Sequence, residues 1–122
     1  FKKINVFNRS KKAIKLNDIK KYTKKYSLID SYLKKADLII NTTPINPLNK
    51  KQTSLIKKTT IISDIVYQPK ETSFLKKFSF NKKIYGISML IEQALPCFKQ
   101  WFGFFPTVDE ALIKKINQKL ND

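Results

Sequence analysis

The chain has 122 residues, a formal charge of +16, and 42% hydrophobic and 12% aromatic content. That is enough apolar material for one domain with a modest core, and it excludes a disordered segment. No apolar stretch approaches the roughly 20 residues that span a bilayer, so a membrane helix is excluded as well.

The single cysteine, Cys97, rules out a disulfide framework and points to a reducing, cytoplasmic setting. With no histidine, neither a histidine-based triad nor a typical zinc site can be assembled, and no metal is expected. The charge invites a nucleic-acid reading, because cations that neutralise phosphates release counterions. Of the 25 cationic residues, however, only Arg9 is arginine, and the lysines fall in scattered pairs such as Lys24-Lys25, Lys57-Lys58 and Lys82-Lys83. This pattern reads as a solvated lysine surface with no specific nucleic-acid partner. A basic nucleic-acid-binding module stands as the alternative from another functional class.

Short β-branched runs alternate with longer helical patterns, which predicts βαβ units and an α/β fold with a parallel sheet. Residues 4–7 read as a buried strand. Residues 11–25 read as a lysine-rich helix with Ala13, Ile14 and Ile19 turned inward. A short strand over 26–28 leads to a helical turn through Tyr32 and Leu33. Strands follow at 37–41, bounded by the Pro44 and Pro47 loop, and at 60–65, stopped by Pro69. A short helix over 72–78 precedes the last strand at 83–85.

From Ser88 the period becomes helical. Met89, Leu90, Ala94, Cys97, Phe98, Trp101 and Phe102 recur on one face, which places Cys97 in the core. Pro96 predicts a kink, and Gly103 the end of the helix. Thr107-Val108-Asp109-Glu110 reads as a capping box opening a second helix, with Val108, Ala111, Leu112, Ile116 and Leu120 as its buried stripe. There is no internal repeat or linker.

Four runs carry the chemistry. Asn8-Arg9-Ser10 closes the first strand, and Asn41-Thr42-Thr43-Pro44 leaves the next apolar strand. The segment from Asp64 through Tyr67 and Pro69 to Thr72 has the form D-x-x-Y-x-P-x-x-T. Tyr85-Gly86-Ile87-Ser88-Met89-Leu90-Ile91-Glu92-Gln93-Ala94 is followed by Trp101 and Gly103. In this order the four runs resemble the shikimate dehydrogenase family over nearly the whole chain. Two positions depart from its pattern: Ile45-Asn46-Pro47 lacks the usual glycine, and Ser88 stands where a second glycine is common.

That family's glycine-rich phosphate loop and substrate domain have no counterpart here, and the first residue is Phe1. The resemblance therefore implies that residues 1–122 are a partial NADP-binding domain. Its Rossmann-like sheet would lack the first, central strand and carry the C-terminal helices of the family. In the sheet order 3-2-1-4-5-6, the strands at 4–7 and 37–41 then flank a vacant position. Either a gap in the sheet or a direct pairing of those two strands is expected, along with poor stability and no activity of the piece alone.

By resemblance the activity is the reversible, NADP-dependent reduction of 3-dehydroshikimate to shikimate. A quinate/shikimate dehydrogenase relative is the alternative within the enzyme class. Arg9 closes the strand where an acid would read the ribose of NAD and an arginine accommodates the 2′-phosphate of NADP. A guanidinium can grip phosphate with two bonds, which lysine cannot. Ser10 and Lys12 are candidate second contacts, beside Asn8. Thr42, Thr43, Pro44 and Ile65 are implied at the cofactor, as are Gly86 and Met89 near the nicotinamide. Tyr67 and Gln93 are implied at the substrate. The family's proton-transferring lysine and aspartate belong to the substrate domain, so no catalytic residue is assigned here. The partner is a small-molecule substrate, and the oligomeric state is left open.

Overall fold

The computed structural model describes residues 3–9 and 17–119. In chain order these form β1 (Val6–Phe7), α1 (Asn17–Lys20), β2 (Thr23–Lys24), a 3-10 turn running into α2 (Ile29–Leu33), and β3 (Leu38–Asn41). There follow α3 (Lys50–Ser54), β4 (Ile61–Asp64), a 3-10 turn at Leu75–Lys77, β5 (Lys83–Ile84), α4 (Gly86–Phe102) and α5 (Glu110–Lys119). The expectations at Ser10, Lys12, Ala13, Ile14 and Leu120 lie outside the described residues.

All strand pairs are parallel. β1 pairs with β2, while β3, β4 and β5 form a separate sheet in that order. Placed side by side as β2-β1 and β3-β4-β5, they reproduce the order 3-2-1-4-5-6 with its third place empty. No ladder joins β1 to β3 among the described residues. The substitute pairing of β1 with β3 is thus not formed among the described residues.

Because strand side chains alternate faces, the register Leu38↔Ile61 through Asn41↔Asp64 puts Ile39, Ile62, Asn41 and Asp64 on one side. That side carries the core. Ile62 is fully buried against Ile29, Leu33, Leu48, Phe74, Leu75 and Phe78. Ile29 and Leu33, four apart, are the inward stripe of α2. Phe7 reaches the same cluster and meets the Tyr32 ring edge-on at 5.2 Å, tying the small sheet to the larger one. The opposite side is less covered: Ile40 on β3 and Ile84 on β5 are both exposed.

Several local expectations give way. Thr23 and Lys24 are a strand, not the end of a helix, because the Val6 amide donates to the Tyr22 carbonyl and Val6 faces Thr23 across the ladder. The segment Tyr26–Leu28 is a 3-10 turn and not a strand. A helix at α3 had no hydrophobic period to announce it; Asn49 and Gln52 build it with a reciprocal capping box. Around Leu75 there is one 3-10 turn in place of a helix over 72–78.

In α4, Pro96 lies inside the helix without ending it, and Gly103 closes it at φ 81°, with its amide on the Lys99 carbonyl. Only Gly86 and Ile87 of α4 are buried. Cys97 is exposed rather than in the core, and Trp101 is 75% exposed, because no described element packs along that face. The N-cap of α5 is Asp109, whose carboxylate accepts from the Leu112 amide at 2.8 Å, so Thr107 does not form the anticipated box. No residue of α5 is buried, contrary to the expected stripe.

Candidate functional site

Parallel α/β sheets bind ligands beyond the carboxyl ends of their strands, and the cleft here lies there. A cavity of about 410 Å³ is lined by Thr42, Thr43, Pro44, Ile65, Val66, Tyr67 and Gln68. Its two walls are the loops leaving β3 and β4. Four implied cofactor residues (Thr42, Thr43, Pro44 and Ile65) and one implied substrate residue, Tyr67, thus share one cleft. The cleft is open to solvent, and its lining is mostly apolar with a few hydroxyl and amide groups.

A buried polar hub joins the walls. Asn41 and Asp64 are paired at the last register position and are 3% and 1% exposed. The Asn41 amide donates to Asp64 Oδ1 at 3.2 Å and lies within reach of the Thr43 and Ile45 carbonyls at 3.1 and 3.3 Å. Its carbonyl oxygen accepts from the Thr43 main-chain amide at 3.0 Å. On the other side, Asp64 Oδ1 accepts from the Val66 amide at 3.1 Å, and Oδ2 accepts from the buried Thr72 hydroxyl at 2.6 Å. Thr72 in turn accepts from the Leu75 amide, so the D-x-x-Y-x-P-x-x-T run closes on itself. Every Asp64 contact is a donor, as a buried carboxylate requires.

Gly86 begins α4 against this loop. A Cβ on it would lie 2.7 Å from both the Ile65 carbonyl carbon and the Val66 carbonyl oxygen, and closer still to the Ile65 oxygen. The glycine is needed by the protein's own main chain. Tyr85, just before it, carries the Lys70 ammonium 5.4 Å from its ring centroid, a second tie between the loop and α4. The Gln68–Pro69 peptide in this loop is cis.

Met89 lies three residues after Gly86 and Gln93 four after Met89, on one face of α4, and both are exposed. They are not part of the cleft lining. Asn8 and Arg9 stand just past β1, Arg9 exposed, and also outside the lining. Ser10 and Lys12 lie outside the described residues. Sequence reasoning missed Val66 and Gln68, although both flank Tyr67 within the quoted run. It also missed the bond from Asn41 to Asp64, which no spacing along the chain signals.

Among the described residues there is no group of three or more metal-ligating side chains, and no helix is long and apolar enough to cross a membrane.

Parallel strands in this order, flanking helices and a cleft at their carboxyl ends define a Rossmann-like α/β unit. No protein-family model matches the chain. It is 37% identical over 105 residues to the shikimate dehydrogenase (NADP(+)) of Bartonella quintana, a match covering 77% of this chain and 36% of that protein. Against the enzyme of the same name from Bartonella henselae it is 33% identical, covering all of this chain and 47% of that one. The crystal structure of shikimate dehydrogenase from Aquifex aeolicus superposes with a TM-score of 0.69 at 29% identity, covering 93% of this chain and 43% of that one. In sequence and in fold, the chain resembles shikimate dehydrogenases. It spans about a third to a half of the length of these relatives.

Proposed function

We infer that this chain is the cofactor-binding portion of an NADP-dependent shikimate dehydrogenase, which interconverts 3-dehydroshikimate and shikimate. One observation carries the reading. The two motif loops that resemble the family's, at 41–44 and 64–72, converge on a single cleft at the carboxyl ends of β3 and β4.

The residues present fit such a cofactor. The cleft pairs an apolar wall of Pro44, Ile65 and Val66, suited to a flat ring, with the polar side chains of Thr42, Thr43 and Tyr67. When bound, the nicotinamide supplies the hydride for the substrate carbonyl. The chain's own work is to bind and orient. Arg9, exposed beyond β1 beside Asn8, is the candidate for the 2′-phosphate, and Ser10 and Lys12, outside the described residues, remain candidate second contacts from the sequence. Gly86 sets α4 against the Ile65–Val66 main chain, and Met89 and Gln93 on that helix are the candidates for contact with the ring and with the substrate. Tyr67 stands at the mouth, 41% exposed, where ring and substrate would meet.

Residues 1–122 are read as a partial NADP-binding domain. The separation of β1-β2 from β3-β4-β5 among the described residues and the thinly covered side of Ile40 and Ile84 support this, since doubly wound sheets are buried on both sides. Between β1 and β3 would stand the strand whose glycine-rich turn holds the pyrophosphate. No residue of this chain is assigned to proton transfer.

The test is an assay of the complete protein. Shikimate-dependent reduction of NADP+, with quinate and NAD+ in parallel, should show shikimate and NADP+ as the preferred pair. Preference for quinate would favour the quinate/shikimate relative. No turnover, with salt-dependent retardation of DNA or RNA, would replace the enzyme reading altogether.

A further inference from the structure

We propose that Asn41 is a positioning residue: with Asp64 it latches the two loops that wall the cleft, so that Thr43 and Tyr67 are presented to a ligand as one unit. The inference rests on the cleft being a ligand site but not on which cofactor or substrate it takes.

The argument begins with where the bonds go. Each loop leaves its strand with a main-chain amide turned back onto the strand's last side chain: Thr43 onto Asn41 at 3.0 Å, and Val66 onto Asp64 at 3.1 Å. Taken singly these are ordinary two-residue side-chain turns. What joins them is the 3.2 Å bond from the Asn41 amide to the same Asp64 oxygen that receives Val66. The two turns therefore share one buried link, held at the last rung of the parallel ladder. Both side chains are buried beneath loops that are themselves partly open, with Thr42, Thr43 and Pro44 exposed on one side and Tyr67 on the other. Residue type matters at each end. Asn41 must donate to Asp64 and accept from Thr43 simultaneously, which an amide can do and a carboxylate cannot. Aspartate at position 64 accepts from Asn41, Val66 and Thr72 together, which needs an acceptor-only group.

Sharing makes the coupling reciprocal. Damage to Asn41 should be felt at Val66, and damage to Asp64 at Thr43, although neither pair of residues is bonded directly. The two turns alone would each lose only their own amide.

The experiment is amide hydrogen exchange on the complete protein without ligand, so its outcome is independent of the enzyme assay. The Ile62 amide, bonded to the Lys82 carbonyl inside the sheet, reports on the fold as a whole. Asn41→Ser removes the amide without adding charge and should lower Val66 protection about tenfold while Ile62 is unchanged. Asp64→Ala, which removes the shared acceptor, should do the same to Thr43. A third variant adds a pH profile. Asn41→Asp sets two carboxylates together, which favours sharing a proton. Protection at Val66 should then be poor at neutral pH and recover as the solution is made acidic, when a protonated Asp can donate to its neighbour. Glu71, one residue before Thr72, is paired with Lys83, which lowers its pKa, so it protonates only at lower pH than the new carboxylate pair. The parent protein should show no such recovery. Loss confined to the mutated residue's own loop, or a loss in Asn41→Asp that ignores pH while Ile62 stays protected, would overturn the proposal. If Ile62 exchanges freely in the charged variant, Asn41→Ser and Asp64→Ala decide.

Discussion

Gly86 and Ile65 are in main-chain contact: the first residue of α4 lies so close to the first residue of the β4 exit that a Cβ on Gly86 would overlap the Ile65 carbonyl. The helix that carries Met89 and Gln93 is therefore aimed by a backbone-to-backbone fit, with no side chain between.

Gly86→Ala should accordingly destabilise the protein by about 1–3 kcal/mol, the usual cost of forcing extra atoms into a packed contact. Urea unfolding of the complete protein measures it. An unchanged midpoint would mean that the loop yields freely and does not aim α4.

Thr72→Val keeps the shape of a buried side chain but removes the hydroxyl between Asp64 and the Leu75 amide. The bond it makes to a carboxylate predicts a loss on the order of 1.5–3 kcal/mol. Thr72→Ser, which keeps the hydroxyl, should lose clearly less. Equal losses would assign the effect to the methyl group and its packing.

The half-exposed Glu71 carboxyl is held below the usual carboxylate range, chiefly by the hydrogen bond from Lys83 and further by the Lys83 and Lys76 charges. A carboxyl whose folded value is lowered adds stability above its unfolded value and loses it as pH falls through the folded one. Acid should therefore weaken the link between the β4 exit loop and β5. Glu71→Gln should lower stability at neutral pH and flatten the acid limb, so that the two proteins converge as pH falls. An acid limb identical to that of the parent protein would remove the pair from this account.

Arg9→Ala, in the complete protein, should weaken NADPH binding by on the order of 1.5–3 kcal/mol, as expected for lost charge-assisted bonds. NADH binding should barely change, because NADH lacks the 2′-phosphate. Titrations of both cofactors settle the matter, and equal losses would place Arg9 elsewhere.

Gln93→Ala should raise the KM for shikimate or lower kcat about fivefold, the worth of one neutral hydrogen bond of about 1 kcal/mol. NADP+ affinity should stay level. A fall in cofactor affinity as large as the fall in shikimate turnover would move Gln93 from substrate to cofactor.

The sequence by itself determined the elements whose signals are local or periodic. The β-branched runs before Asn41 and Asp64 became β3 and β4, Gly103 ended α4 with positive φ, and the four motif runs fell at strand exits and along one helix. Each of these depends on side chains within a few residues. What only the tertiary structure decided involves partners distant in sequence. Thr23 and Lys24 became a strand because Val6 and Phe7 offered a ladder, overriding a lysine-rich helical pattern. Cys97 sits on an apolar helix face, as its spacing said, yet it is exposed, because periodicity names the face and not what covers it. The bond between Asn41 and Asp64 spans 23 positions and exists because parallel pairing brings two strand ends level. Register is a property of two strands together, and neither strand's sequence contains it alone.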